Sequence, residues 1–137
     1  NLSSCNYFIN IKNEQYSHLY SFLLKCIDQS TKILSQQHSL FILKLFSNKN
    51  SEWNFCIFND IMFNLPFTLS NIIFIPINYL TMSYSNNSNV KFSNTLIHEK
   101  IHIFQRFNLN KWINIINLSF KNWILIKHNT LIYNYLI

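Results

Sequence analysis

His98-Glu99-Lys100-Ile101-His102 sets two imidazoles four residues apart, with a carboxylate beside the first. On an α-helix, positions i and i+4 share a face, so the two rings project side by side. Two neutral imidazole nitrogens so placed suit neighbouring positions on one tetrahedral zinc ion. The Glu99 carboxylate then lies within reach of water held at that ion and can take its proton. The chemistry open to this set is zinc-assisted hydrolysis of a peptide bond, with Zn2+ as cofactor and Glu99 as general base.

A helix has to carry the set. Ser93, Asn94 or Thr95 can each cap its start. Ile97, Ile101 and Phe104 follow at helical spacing as a buried stripe, widened by Leu96, Ile103 and Phe107. The spacing predicts a helix over 94–107.

The segment Thr95 to Phe104 resembles the active-site helix of zincin metallopeptidases. The likeness covers roughly residues 93–107, with a looser likeness in the strand-like run before it. The chain is also similar to short zincin-like proteins of large DNA viruses with AT-rich genomes. The resemblance implies a small zincin-like domain, a metallopeptidase activity on a peptide or protein substrate, His98 and His102 as zinc ligands and Glu99 as the base. It further implies that a small sheet precedes the helix and that an edge strand, here 71–77, lines the cleft and holds an extended substrate; core packing alone is the other reading of that strand.

The chain departs from the pattern at several positions. Lys100 stands where zincin helices usually carry an uncharged residue. Gln105 and Asn108 hold the Gly and third-His positions of the longer motif, and no Asp or Glu follows Glu99. A catalytic zinc takes three protein ligands and keeps one position open, so a third must come from elsewhere. The candidates are His18, His38, His128, Glu14, Glu52, Asp28 and Asp60. His128 lies downstream, where most zincins place this ligand. Asp60 is the next choice, with ordinary turn chemistry as its other reading. Tyr133 or Tyr135 is a candidate for oxyanion stabilisation.

The 137 residues fit one domain, 1–137. An apolar share of 49%, with 13 Phe and 7 Tyr, excludes a disordered chain. Residue 1 is not Met, so the chain reads as processed or as a fragment. There is no Gly, and positions with φ > 0 must therefore fall to residues such as Asn48, Asn50, Asn86, Asn87 and Asn129. Cys5, Cys26 and Cys56 are odd in number and widely spaced. They read as reduced thiols, pointing to an intracellular reducing compartment or a virion and away from secretion. No apolar run reaches the roughly 18 residues of a membrane span.

Periodicity predicts helices over 14–27 and 31–47, a turn at 48–51, a strand over 53–58, a turn at 64–66, a strand over 72–75 and a polar loop over 83–89. After the motif helix come a helix near 109–118 and an apolar segment over 123–137. That order makes an α+β protein: N-terminal helices, a short sheet and the motif helix. Lys100, Arg106, Lys111, Lys121 and Lys127 follow Glu99 with no acidic residue among them, interleaved with Trp112, Phe120 and Trp123. This basic third reads either as a docking surface for an acidic protein, nucleic acid or an anionic membrane, or as a consequence of AT-rich codons. The leading reading is thus a zinc metallopeptidase. The alternative is a non-catalytic zincin-like interaction protein that docks through its basic C-terminal third.

Overall fold

The computed structural model describes residues 7–36, 53–60 and 62–119. They form an α+β arrangement: β1 (Phe8–Ile9), α1 (Ser17–Gln36), β2 (Phe55–Phe58), β3 (Phe67–Leu69), β4 (Ile72–Pro76), α2 (Ile77–Ser85), α3 (Asn89–Phe107) and α4 (Leu109–Ser119). A short 3-10 turn at Glu14–Tyr16 leads into α1.

Leu19, Phe22, Leu23, Cys26, Ser30 and Leu34 are buried along α1, an i, i+3, i+4, i+7 stripe. The polar run from Asp28 to Ser30, where two helices were expected to divide, lies inside this single helix. Ser30 Oγ donates to Cys26 O (2.7 Å) and Thr31 Oγ1 to Ile27 O (2.9 Å). Each hydroxyl is satisfied by the helix itself, so neither competes with it. The expected helix beyond Gln36 and the turn at 48–51 lie outside the described residues.

The sheet is mixed, in the order β1-β2-β4-β3. β2 runs parallel to β4, with Ile57 opposite Ile75, and β1 and β3 add antiparallel at the two edges. β4 is therefore an inner strand. The expectation that 71–77 lines a cleft as an edge strand is corrected: hydrogen-bonded neighbours flank β4 on both sides, and Pro76 falls at its last position, where a missing N–H costs least. The edge beside α3 is β3.

Side chains alternate across the sheet. Ile57, Ile73 and Ile75 face the helices and join Leu19, Phe22, Cys26, Leu80, Phe92 and Leu96 in the core. The other face is aromatic. Phe67 stacks on Phe74 (centroids 5.2 Å apart, 4° between planes), and Phe58 meets Phe63, Phe67 and Phe74 edge-on.

Two turns need φ > 0 and have no Gly to use. Asn87 (φ 52°) makes the α2–α3 turn, as expected of Asn. Ser70 (φ 53°) takes the first place of the Ser70–Asn71 turn joining Leu69 to Ile72, the geometry of a two-residue hairpin. No described helix is long and apolar enough to cross a membrane.

Candidate metal centre

α3 starts at Asn89, after Ser88, and runs to Phe107. It is longer than expected, because Ser93, Asn94 and Thr95 lie inside the helix and do not cap it. Ser93 is fully buried against α1, where its one hydroxyl proton has two acceptors within reach, Gln29 Oε1 (3.2 Å) and Cys26 O (3.3 Å). Ser30 Oγ lies 2.7 Å from Cys26 O and 3.0 Å from Ser93 O, so its one proton is shared across the helix contact. Thr95 Oγ1 meets Lys91 O and the Tyr79 hydroxyl, each at 3.1 Å.

The buried stripe of α3 also differs from the expected one. Phe92, Leu96 and Ile103 face the core, whereas Ile97, Ile101 and Phe104 are half-buried and Phe107 is 58% exposed. Glu99 falls in register with the first group, seven residues after Phe92 and four before Ile103. The carboxylate therefore occupies a core-facing position and is only 7% exposed. Burial raises its pKa above the ordinary carboxylate range, against opposing effects from His102 and Arg106.

The two imidazoles come together one face further round. His98 is exposed and His102 half-buried. Their rings are 4.5 Å apart and nearly perpendicular, with Nε2 of one 2.9 Å from Nε2 of the other. Two nitrogens on one tetrahedral zinc at about 2.0–2.1 Å lie about 3.3 Å apart, so the pair is close to ligand spacing. His102 Nδ1 lies 3.1 Å from Gln105 Oε1. A carbonyl oxygen only accepts, so Nδ1 is the donor in this contact and Nε2 is the nitrogen that a neutral ring would turn to a metal. Burial, and then the neighbouring His102, lower the pKa of His98 and favour its neutral form. The donor set therefore fits two of the ligands of a zinc ion.

The structure brings His98 and His102 together ring to ring, with Glu99 turned to the core beside them, and no group of three His, Cys, Asp or Glu side chains that could hold a metal forms among the described residues. His18 lies on α1 against the Tyr84 ring, 5.1 Å between centroids. Asp60 accepts from the Tyr7 hydroxyl (3.3 Å) and the Met62 amide (2.8 Å), which is turn chemistry. Glu14 and Asp28 are exposed elsewhere. His38, Glu52, His128, Tyr133 and Tyr135 lie outside the described residues. Cys26 and Cys56 are free thiols, and burial raises the pKa of each.

Arg106 was read only as part of a basic surface. Its guanidinium reaches β3, donating to Ser70 O, to Thr68 Oγ1 (3.0 Å) and, at 3.5 Å, to Thr68 O. In a two-residue hairpin the Leu69–Ile72 and Phe67–Phe74 pairs exchange hydrogen bonds, leaving the Thr68 amide and carbonyl pointing outwards. Arg106 thus covers acceptors on the free edge of the sheet. The Lys100 ammonium sits 5.2 Å over the Trp53 ring. Two of the basic residues expected to form a docking surface are thereby engaged within the chain, while Lys111 is exposed and Lys121 and Lys127 lie outside the described residues. Sequence reasoning noted Gln105 only as a missing glycine; its place three residues after His102, on the same face, was the available signal for its role.

Comparison of the chain with protein families, with curated proteins and with solved structures finds no match.

Proposed function

We propose that this chain is a small zinc-dependent peptide hydrolase of the zincin type. The observation that supports it most is the convergence of His98 and His102 Nε2 at 2.9 Å, with Gln105 accepting from Nδ1 of His102. His98 and His102 would hold the ion, and His128 is the proposed third ligand. When bound, zinc supplies a Lewis acid and makes water acidic near neutral pH. Glu99 accepts the proton of the attacking water and returns it to the leaving amine. Burying a carboxyl at a core-facing position of an amphipathic helix costs stability, and a general base beside two ligands is a use that would account for that cost.

One observation favours a second reading, a zincin-like scaffold without catalysis that binds an acidic partner. The two Nε2 atoms are at hydrogen-bonding distance and can satisfy one another with no metal.

Elemental analysis and a peptide-library digest separate the two. Wild type is expected to carry about one zinc per chain, and both His98→Ala/His102→Ala and His128→Ala to lose most of it. Glu99→Gln is expected to keep zinc and fold while hydrolysis falls by about 10²-fold or more, the usual worth of a positioned base. Unchanged zinc in the double variant would sink the metal site. Zinc without any cleavage would leave the scaffold.

A further inference from the structure

The two ends of α3 offer different openings to a peptide. Beyond His102 the Arg106 guanidinium lies along the free edge of β3, on the Thr68 hydroxyl and the carbonyl of the Ser70 turn, so an added strand meets a side chain there. Before His98, an open, shallow groove of about 590 Å³ runs along the exposed face of α3, lined among the described residues by Val90, Lys91, Asn94, Thr95 and His98, all from this one helix. Lys91 and His98 lie seven residues apart, two helical turns and about 10 Å along the axis. An extended peptide covers that length in about three residues. Lys91 and Asn94 are exposed. No carboxylate lines the groove among the described residues, and the chain carries a net charge of +6.

We propose that this groove binds an extended acidic peptide segment, with Lys91 pairing to an Asp or Glu side chain about three residues from the group that lies at His98. Asn94, between them on the same face, offers both a donor and an acceptor to a peptide backbone. As a specificity determinant for cleavage, the proposal rests on the hydrolase reading. As a binding site it does not.

The test uses dye-labelled octapeptides that differ only in a central Asp, Asn or Lys, followed by fluorescence anisotropy in EDTA and again with zinc. An exposed charge pair adds up to about fivefold in affinity. Wild type should therefore bind the Asp peptide about three- to fivefold more tightly than the Asn peptide. Lys91→Ala should abolish the preference and Lys91→Glu should reverse it in favour of the Lys peptide. Asn94→Ala should weaken all three peptides alike. Equal binding of the Asp and Asn peptides, binding of none, or a preference that survives Lys91→Glu overturns the proposal. Tighter binding of a single-stranded oligonucleotide, lost in Lys91→Glu, overturns its peptide assignment. Cleavage indifferent to the Asp leaves the hydrolase reading standing and removes this inference; an Asp preference without cleavage does the reverse.

Discussion

In its first half α3 meets α1 through Ser30, Ser93 and Cys26, all fully buried. In its second half, besides the apolar packing of Ile103, it makes its polar contact with the sheet edge through one exposed guanidinium, that of Arg106. Both contacts are polar, but their surroundings give them different weight. Each buried hydroxyl bond contributes about 1 kcal/mol, and an orphaned partner would cost about 1–3 kcal/mol. The exposed clamp competes with water and is worth about 1 kcal/mol or less. The seam therefore decides where the helix lies in the core. The clamp decides how closely β3 follows the helix once it is there. His98 and His102 sit between the two, so their placement depends on the seam and the shape of their surroundings on the clamp.

The seam should break most severely. Ser93→Leu forces a larger side chain between two closely packed helices and deprives Gln29 of its donor. We expect a loss of about 3 kcal/mol from overpacking and the unmet acceptor together. In urea the midpoint should fall with little change in slope. Ser93→Ala, which only removes the hydroxyl, should cost about 1 kcal/mol. If Ser93→Leu costs no more than Ser93→Ala, α1 and α3 can part easily and the seam does not fix the motif helix.

Glu99 sharpens the comparison, because it stands in the same core-facing stripe as Phe92, Leu96 and Ile103. Burial disfavours its ionised form, so an apolar residue of similar size should suit the fold better at neutral pH. Glu99→Leu is expected to raise stability by about 1 kcal/mol while abolishing hydrolysis, a trade of stability against function. Thermal unfolding and a peptide digest on the same sample would check both. A destabilised Glu99→Leu would mean that the carboxylate helps to hold the fold, and its assignment as a base would lose its physical support.

The elements legible in the sequence were those with strong periodicity. α3 and the stretch from Trp53 to Phe58 were readable because apolar residues recur there at periods of 3.6 and 2. The start of α3 was misplaced because Ser93 looks like a cap, and only the neighbouring α1 shows that its hydroxyl is used across a helix interface. α2 was missed: Ile77–Ser85 mixes β-branched, aromatic and hydroxyl residues with weak helix preference, and tertiary packing of Leu80 and Ser83 decides it. β3 is three residues long and lies between the turn read at 64–66 and the strand read over 72–75, where no element was assigned. In the candidate site, the adjacency of His98 and His102 was legible from their spacing, because local helix geometry sets residues four apart on one face. Arg106 on Thr68 joins residues 38 positions apart, a contact no local pattern encodes. The proposed third ligand poses the same difficulty, since such a group would have to reach the pair from a distant part of the chain.

The smallest effect tests whether the two halves of α3 are independent. Arg106→Ala removes the clamp from Ser70 and Thr68 and should change global stability by less than about 1 kcal/mol. Its effect should be local: β3 should open more often, because the hairpin loses its tie to the helix. Hydrogen exchange at the Leu69 and Phe67 amides, which pair with β4, should quicken by up to about fivefold, the equivalent of 1 kcal/mol. Exchange at Leu96, beside the seam, should not change. Arg106→Lys keeps the charge but not the planar fork that reaches two carbonyls at once, so it should restore only part of the protection. Equal quickening at Leu96 and at Leu69 would show that the clamp supports the whole helix. The division between a seam that places α3 and a clamp that trims its edge would then fail.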